Sequence, residues 1–329
     1  MSKQLPSVGI DLAQTKVDVV IWRAPHAPHK VFAYTSEGLE KLQAWLRAAG
    51  IVHAHICMEA SGTLADEIAT TLHDAGHRVS IINPALLKSF RQTTMTRTKT
   101  DKQDARLLAQ YCDLHRPAAW HPPSPAQREL QSLVRRLEAL QAMRQQEVNR
   151  LSSGTRSEQV NASLQRILEA LDAEIEQLKH LIADHIDSHP DLKHQHTLLC
   201  SIPGIGALTA QTLLAECGDL ATYRSARQLA AHAGLVPRHF ESGSSVRGKP
   251  RLAKTGSARL RKALYMPAVT AQCHNPIVHA FCLRLRQKGK HPMAVLGAAM
   301  RKLLHIVFGV LKTRKPFDPN HFSTRAISA

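Results

Sequence analysis

Apolar residues in the first third of the chain recur with two periods. Short runs rich in β-branched residues, at 8–11, 17–22, 30–34, 54–59 and 79–83, predict strands. Apolar positions three and four apart predict helices over 37–49, 64–75 and 101–114. Residues 90–99 are polar and basic and predict a loop that contacts substrate rather than a packed element. The proline-rich stretch 117–125 cannot continue a helix, because proline lacks an amide donor and clashes with the preceding turn, so it marks a boundary. Beyond it Leu130, Leu133, Leu137 and Leu140 form a narrow seam. After a polar break at 152–154, Leu164, Leu168, Leu171, Ile175, Leu178 and Ile182 keep heptad spacing. This predicts a coiled-coil hairpin or a dimer contact, with two amphipathic helices packed on a core as the alternative. A glycine turn at Gly204 and Gly206 then opens a helix, and further helical patterns cover 225–233, 258–272, 277–287 and 293–311.

The resulting class is α/β plus α. Three strands, a helix, then alternating strand and helix is the order of a ribonuclease H-like sheet, and the rest is mostly helical. Three segments are expected: 1–118 as the α/β domain, 119–190 as linker and coiled coil, and 191–329 as a basic helical domain. At 329 residues and 43% hydrophobic, the chain is long enough for two cores. Six scattered cysteines without a Cys-x-x-Cys pair predict reduced, core-filling thiols and no zinc module. No apolar leader and no membrane-spanning run are read, so a cytoplasmic protein without a membrane partner is expected. The twenty histidines, among them the His53/His55 and His194/His196 pairs, show no zinc-ligand spacing, and Trp22, Trp45 and Trp120 are expected to pack rather than stack bases.

Charge changes this picture. Residues 191–329 carry 21 Lys and Arg against five Asp and Glu, whereas residues 1–190 carry 22 against 21. A surface so biased condenses on phosphate backbones by releasing counterions, which predicts salt-sensitive nucleic-acid binding. Aromatic residues make up only 4% of the chain, so phosphate contacts rather than stacking must dominate. Gly204 and Gly206 let backbone amides approach a phosphate at a helix N-terminus, as in helix-hairpin-helix turns. Arg238, Arg247, Lys249, Arg251, Lys254, Arg259, Arg261 and Lys262 are the basic candidates around a Ser-rich loop that begins at Ser242. That loop alone reads equally as a flexible phosphate cradle or as a plain polar connection.

The candidate chemistry lies in four acids. Asp11 and Glu59 end two predicted strands, and Asp101 and Asp104 stand three apart on one helix face. Like charges gathered this way need cations to neutralise them. Hard divalent ions favour carboxylate oxygens, so Mg2+, or Mn2+ in its place, is expected in a two-metal site able to clamp both oxygens of an in-line phosphoryl displacement.

Several segments together carry a resemblance: Gly9-Ile-Asp11, Ile56-Cys-Met-Glu59-Ala-Ser-Gly, Asn83-Pro-Ala, Lys99-Thr-Asp101-Lys-Gln-Asp104-Ala-Arg, Ile202-Pro-Gly-Ile-Gly, Ala233-Gly-Leu-Val-Pro-Arg and Glu241-Ser-Gly-Ser-Ser-Val-Arg-Gly. Over nearly its whole length the chain resembles the DEDD transposases of the bacterial insertion-sequence one-ten family, the bridge-RNA-guided recombinases. The resemblance implies a RuvC-like ribonuclease H domain, a coiled coil and a C-terminal transposase domain. It places metal-binding acids at Asp11, Glu59, Asp101 and Asp104 and a serine nucleophile at Ser242. It further implies donor and target DNA, a bridge non-coding RNA, and a dimer or tetramer in which one protomer's serine completes another's acid site. Competing readings are a hydrolytic junction endonuclease that uses water in place of Ser242, a non-catalytic nucleic-acid-binding protein, and an actin-like sugar kinase sharing the Gly-Ile-Asp turn. The last lacks a second glycine-rich phosphate loop here.

Overall fold

The structure is a computed structural model that describes residues 4–23, 26–60, 63–94, 100–154, 157–218, 220–238, 241–242, 246–248 and 251–320. Two compact units are present, Met1–Pro122 and Pro123–Ala329.

The first unit is built on a five-stranded mixed sheet. Its strands are β1 (Ser7–Leu12), β2 (Lys16–Ile21), β3 (His29–Ala33), β4 (His55–Glu59) and β5 (Arg78–Ile82), in the order β3-β2-β1-β4-β5. The first three pair antiparallel, and β4 and β5 run parallel to β1. Helices α1 (Ser36–Ala48), α2 (Thr63–Asp74), α3 (Pro84–Thr93) and α4 (Asp101–His115) complete the unit. Strand alternation gives the sheet two apolar faces. Val8, Ile10, Val19, Ile56 and Met58 join Leu42, Leu46, Ile68 and Leu72 of α1 and α2, while Cys57 on the opposite face joins Leu108 and Cys112 of α4.

Residues 90–93, expected in a loop, are helical. Asn83 caps α3 by accepting from the Ala85 N–H, Pro84 sits in its first turn, and the Phe90 ring packs 5.3 Å from Tyr111. Local polarity suggested a loop, but tertiary packing of one aromatic ring extends the helix. Residues 95–99 lie outside the described set. The proline stretch is held to the sheet edge: Ser80 Oγ donates to Ala118 O at 2.8 Å, and the Trp120 N–H donates to Val79 O at 2.7 Å. Trp45, likewise, packs 5.7 Å from Phe32.

The second unit opens with a helical hairpin, α5 (Pro125–Ser152) and α6 (Glu158–Asp187). Leu130, Val134, Leu137 and Leu140 meet Ile175, Leu178, Ile182 and Ile186 in one core. Leu164 and Leu168 are only half buried, so the seam closes in one half of the hairpin. The same core continues through α7 (Pro190–Cys200), α8 (Ala207–Cys217), α9 (Ala226–His232), α10 (Ala258–Ala263), α11 (Tyr265–His274), α12 (Pro276–Gln287) and α13 (Pro292–Thr313). The Gln131 amide donates to Ala215 O at 3.0 Å, and Arg135 Nε holds the buried Glu216 at 2.8 Å, joining α5 to α8.

The helix expected over 258–272 is two helices that meet at Leu264, with Pro267, which has no N–H to donate, in the first turn of the second. Two-residue strands β6 (Pro237–Arg238) and β9 (Arg251–Leu252) pair antiparallel, as do β7 (Glu241–Ser242) and β8 (Val246–Arg247). Contrary to expectation, α13 is long and apolar enough to cross a membrane. Twelve of its residues, Leu303, Leu304 and Val307 among them, are buried in this unit, as in a core helix.

Candidate active site

Gly9 makes the close approach on which the acid cluster depends. A Cβ there would lie 2.0 Å from Ala105 O and 2.3 Å from Ala109 N, so only glycine lets α4 rest directly on β1. Asp11 follows two residues later on the same face of the strand, and Glu59 ends the neighbouring β4. Thr100 caps α4 by accepting from the Gln103 N–H, which puts Asp101 and Asp104 in the first turn, where the helix dipole favours negative charge.

Electrostatics show the four acids sharing one field. Burial, then the charges of Asp104, Asp101, Glu59 and Asp18, raise the Asp11 carboxyl from 3.8 to about 7. Asp18 is a fifth acid that the sequence reading passed over. It lies directly opposite Asp11 across β1 and β2, is nearly fully buried, and is held by Lys16 Nζ at 3.1 Å and His29 Nε2 at 2.7 Å. The signal was available, since like charges facing each other across a sheet need a countercharge and Lys16 stands two residues away.

Lys16 also reaches Asp101 at 2.6 Å, and Arg91 Nη2 donates to Asp104 while its own Nε is buried without a partner. The protein's own cations therefore balance part of the cluster. Carboxylate oxygens are the donors a hard divalent cation prefers, so the residue types gathered around Asp11 fit such an ion.

Among the described residues, His55, Cys57 and Cys112 form a potential metal-binding group, with ligand atoms all within 4.8 Å of one another and all three residues buried. Ser80 Oγ donates to Ala118 O, so the His55 ring donates through Nε2 to that hydroxyl at 2.9 Å. The Cys112 thiol donates to His55 O at 3.2 Å. A hydrogen bond with Cys112, and then burial, push the Cys57 thiol far up. His55 is thus buried beside two thiols, a grouping made by the sheet and α4 that the spacing of histidines in the sequence did not reveal. Thiols and imidazole select soft ions, so this group does not answer to magnesium. All six cysteines are free; Cys57, Cys112, Cys217 and Cys282 fill cores, whereas Cys200 and Cys273 are exposed.

In the second unit, Ser242 lies on β7 opposite Val246, one residue from the Glu241 to Arg247 pairing. Arg238 and Arg251 pair across β6 and β9. Lys249 lies outside the described residues, and Lys254 adopts a left-handed backbone at φ 56°. Arg261 Nη1 donates to Ala233 O at 3.1 Å, and Arg259 faces Glu138 at 3.5 Å, so both guanidinium groups also hold the fold. Lys262 is exposed. Gly204 has φ 102°, and a Cβ there would meet Ala271 Cβ at 2.9 Å, so packing on α11 requires this glycine. Gly206, the N-cap of α8, faces open space.

Residues 196–283 match the family described as Transposase IS116/IS110/IS902 family, and residues 8–154 match the DEDD transposase family of the IS110 type. The chain is 34% identical over 314 residues to a pilin gene-inverting protein of Moraxella bovis, covering 94% of this chain and 97% of that one. The corresponding protein of Moraxella lacunata matches at the same identity and coverage. A probable family 20 transposase of Pseudomonas aeruginosa is 28% identical over 244 residues, 64% of this chain and 68% of its own. Since the likeness runs through the acid-bearing unit and the basic unit alike, this chain belongs to the IS116/IS110/IS902 family of transposases, enzymes that cleave and rejoin DNA strands.

Proposed function

We propose that the transposase cuts DNA by transesterification, with Asp11, Glu59, Asp101 and Asp104 holding Mg2+, or Mn2+ in its place, and Ser242 as the nucleophile. The carrying observation is the Asp11 carboxyl raised to about 7 by burial and by Asp104, Asp101 and Glu59. The strand order β3-β2-β1-β4-β5, with acids ending β1 and β4 and opening α4, supports a RuvC-like ribonuclease H reading of the first unit.

When bound, the divalent cation would neutralise phosphate charge and ease deprotonation of the attacking hydroxyl. Asp11, Glu59, Asp101 and Asp104 would hold it, with α4 placing Asp104 within the field of Asp11. Ser242 Oγ gives up its proton and forms a bond to phosphorus as the phosphorus–oxygen bond to the leaving strand breaks, and the leaving strand's sugar oxygen takes up a proton, so the transfer is balanced. The resulting phosphoserine keeps the bond energy for rejoining, so no external energy source is needed. The likeness to pilin gene-inverting proteins supports rejoining over hydrolysis, because inversion requires every cut end to be resealed.

The remaining parts of the reading follow from charge and family. The hairpin of α5 and α6 supplies the coiled coil through which a dimer or tetramer assembles. The turn at Gly204 and Gly206 acts as a helix-hairpin-helix element. Arg238, Arg247, Lys249, Arg251, Lys254, Arg259, Arg261 and Lys262 hold nucleic-acid phosphates, and a bridge non-coding RNA selects donor and target DNA by pairing. Trapping of a covalent protein–DNA adduct tests the core of this. Wild type is expected to form it with Mg2+ and Ser242→Ala to form none; a Ser242→Ala variant that cleaves at the wild-type rate would leave a hydrolytic endonuclease as the answer.

A further inference from the structure

A cavity of about 720 Å3 lies in the second unit between α9, α12, α13 and the segment that follows α13. Ile306 and Phe317 supply apolar wall, Lys302 and Lys315 supply positive charge against the single acid Asp318, and His305 and Gly309 also line it. Phe317 packs on the core, and its N–H donates to Ser201 Oγ at 2.9 Å, so the ring is held in place.

Folding alone explains neither Gly309 nor His305. Gly309 stands in the interior of a 22-residue helix, where glycine is a poorer helix former than alanine. A Cβ on it meets no atom within 4 Å, whereas one on Gly297 of the same helix would stand 3.1 Å from Leu252 Cδ1. Packing does not call for glycine at this position, and the missing side chain leaves that space to the cavity. His305 Nε2 is buried without a hydrogen-bond partner. Burial, then the charges of Arg301, Lys302 and Arg227, hold the imidazole below its ordinary pKa. The ring is therefore neutral at pH 7, with one donor and one acceptor nitrogen.

We propose that this cavity takes a single unstacked nucleotide of a nucleic acid, its base between Ile306 and Phe317 and beside the His305 ring, its phosphate toward Lys302 and Lys315. The size is that of small-molecule pockets, and an apolar wall with an aromatic ring is what a splayed-out base requires. A bare anion would need no such wall, and an apolar ligand would need no such charge. This inference rests on the reading that the second unit binds nucleic acid.

The test is a titration of the full-length protein with nucleoside 5′-monophosphates, ribose 5-phosphate and inorganic phosphate, followed by ligand-detected NMR. At least one monophosphate is expected to bind about tenfold more tightly than ribose 5-phosphate, the gain typical of one stacked base. Gly309→Leu puts its Cβ into open space that lines the cavity and raises helix propensity, so it is expected to abolish that gain while leaving the melting temperature unlowered. His305→Ala is expected to reduce discrimination among bases. Equal binding of ribose 5-phosphate and the monophosphates, or unchanged binding in Gly309→Leu, overturns the proposal. Salt-dependent affinity for a long single strand, measured alongside, separates two failures. If the strand binds but no base is distinguished, only the pocket falls; if the strand does not bind either, the nucleic-acid reading of the unit falls with it.

Discussion

The first unit gathers charge of one sign into one place, whereas the second spreads the opposite sign along its helices and short strands. Around Asp11 four acids act on one another through space, and their placement depends on a backbone approach at Gly9 that leaves no room for a Cβ. In residues 191–329 the 21 basic groups outnumber five acids. The contrast teaches how each unit should fail. A site built on mutual geometry is lost with one residue, while a surface built on total charge declines by increments.

Asp104→Asn should break the first unit most severely. Strand cleavage is expected to fall by about 10²-fold or more, while affinity for nucleic acid stays within about twofold of wild type, since phosphate contacts lie elsewhere. Comparable loss of binding would erase the contrast between the units. Gly9→Ala is expected to destabilise the protein by about 2–3 kcal/mol through overpacking of β1 on α4, read by denaturant unfolding. Arg135→Ala, which leaves the buried Glu216 in the second unit only Arg259 at 3.9 Å as a cationic partner, is expected to cost about 2 kcal/mol. That matched pair asks whether buried charge in the basic unit is as position-dependent as the acid cluster.

A pH series sharpens the comparison further. Asp11 holds its proton more tightly in the folded protein than in the unfolded chain, so the folded state binds more protons between 3.8 and about 7. Metal-free stability contributed by this group is therefore full in acid and falls as pH rises through that window. Magnesium should raise the melting temperature more near neutrality than in mild acid, and Asp11→Asn should flatten both trends. The smallest effect is expected from Arg238→Ala with Arg251→Ala. Removing two phosphate contacts should lower the slope of log affinity against log salt by about two and leave cleavage at low salt unchanged.

Local patterns carried much of this into view. Period-two runs located all five strands of the sheet to within a residue or two, because alternation is set by neighbours in sequence. The four acids were legible because each ends a strand or opens a helix. Residues 90–93 were misread because their composition is polar while their helix is kept by Phe90 on Tyr111, a contact made across sequence. The break at Leu264 was missed because apolar spacing continues through it while the backbone does not.

By itself the sequence determined the strands of the sheet, the separation of charge and the kinship to a transposase family, and it offered four acids as candidates, all properties carried by residue type and spacing. Tertiary structure decided that Asp18 joins the acids, that Lys16 and Arg91 balance them, that His55 meets two thiols, and that Gly309 leaves a cavity beside His305. The physical reason is register. Which side chains meet depends on how strands align and how closely helices lie on them, and that is settled by packing among residues far apart in the chain.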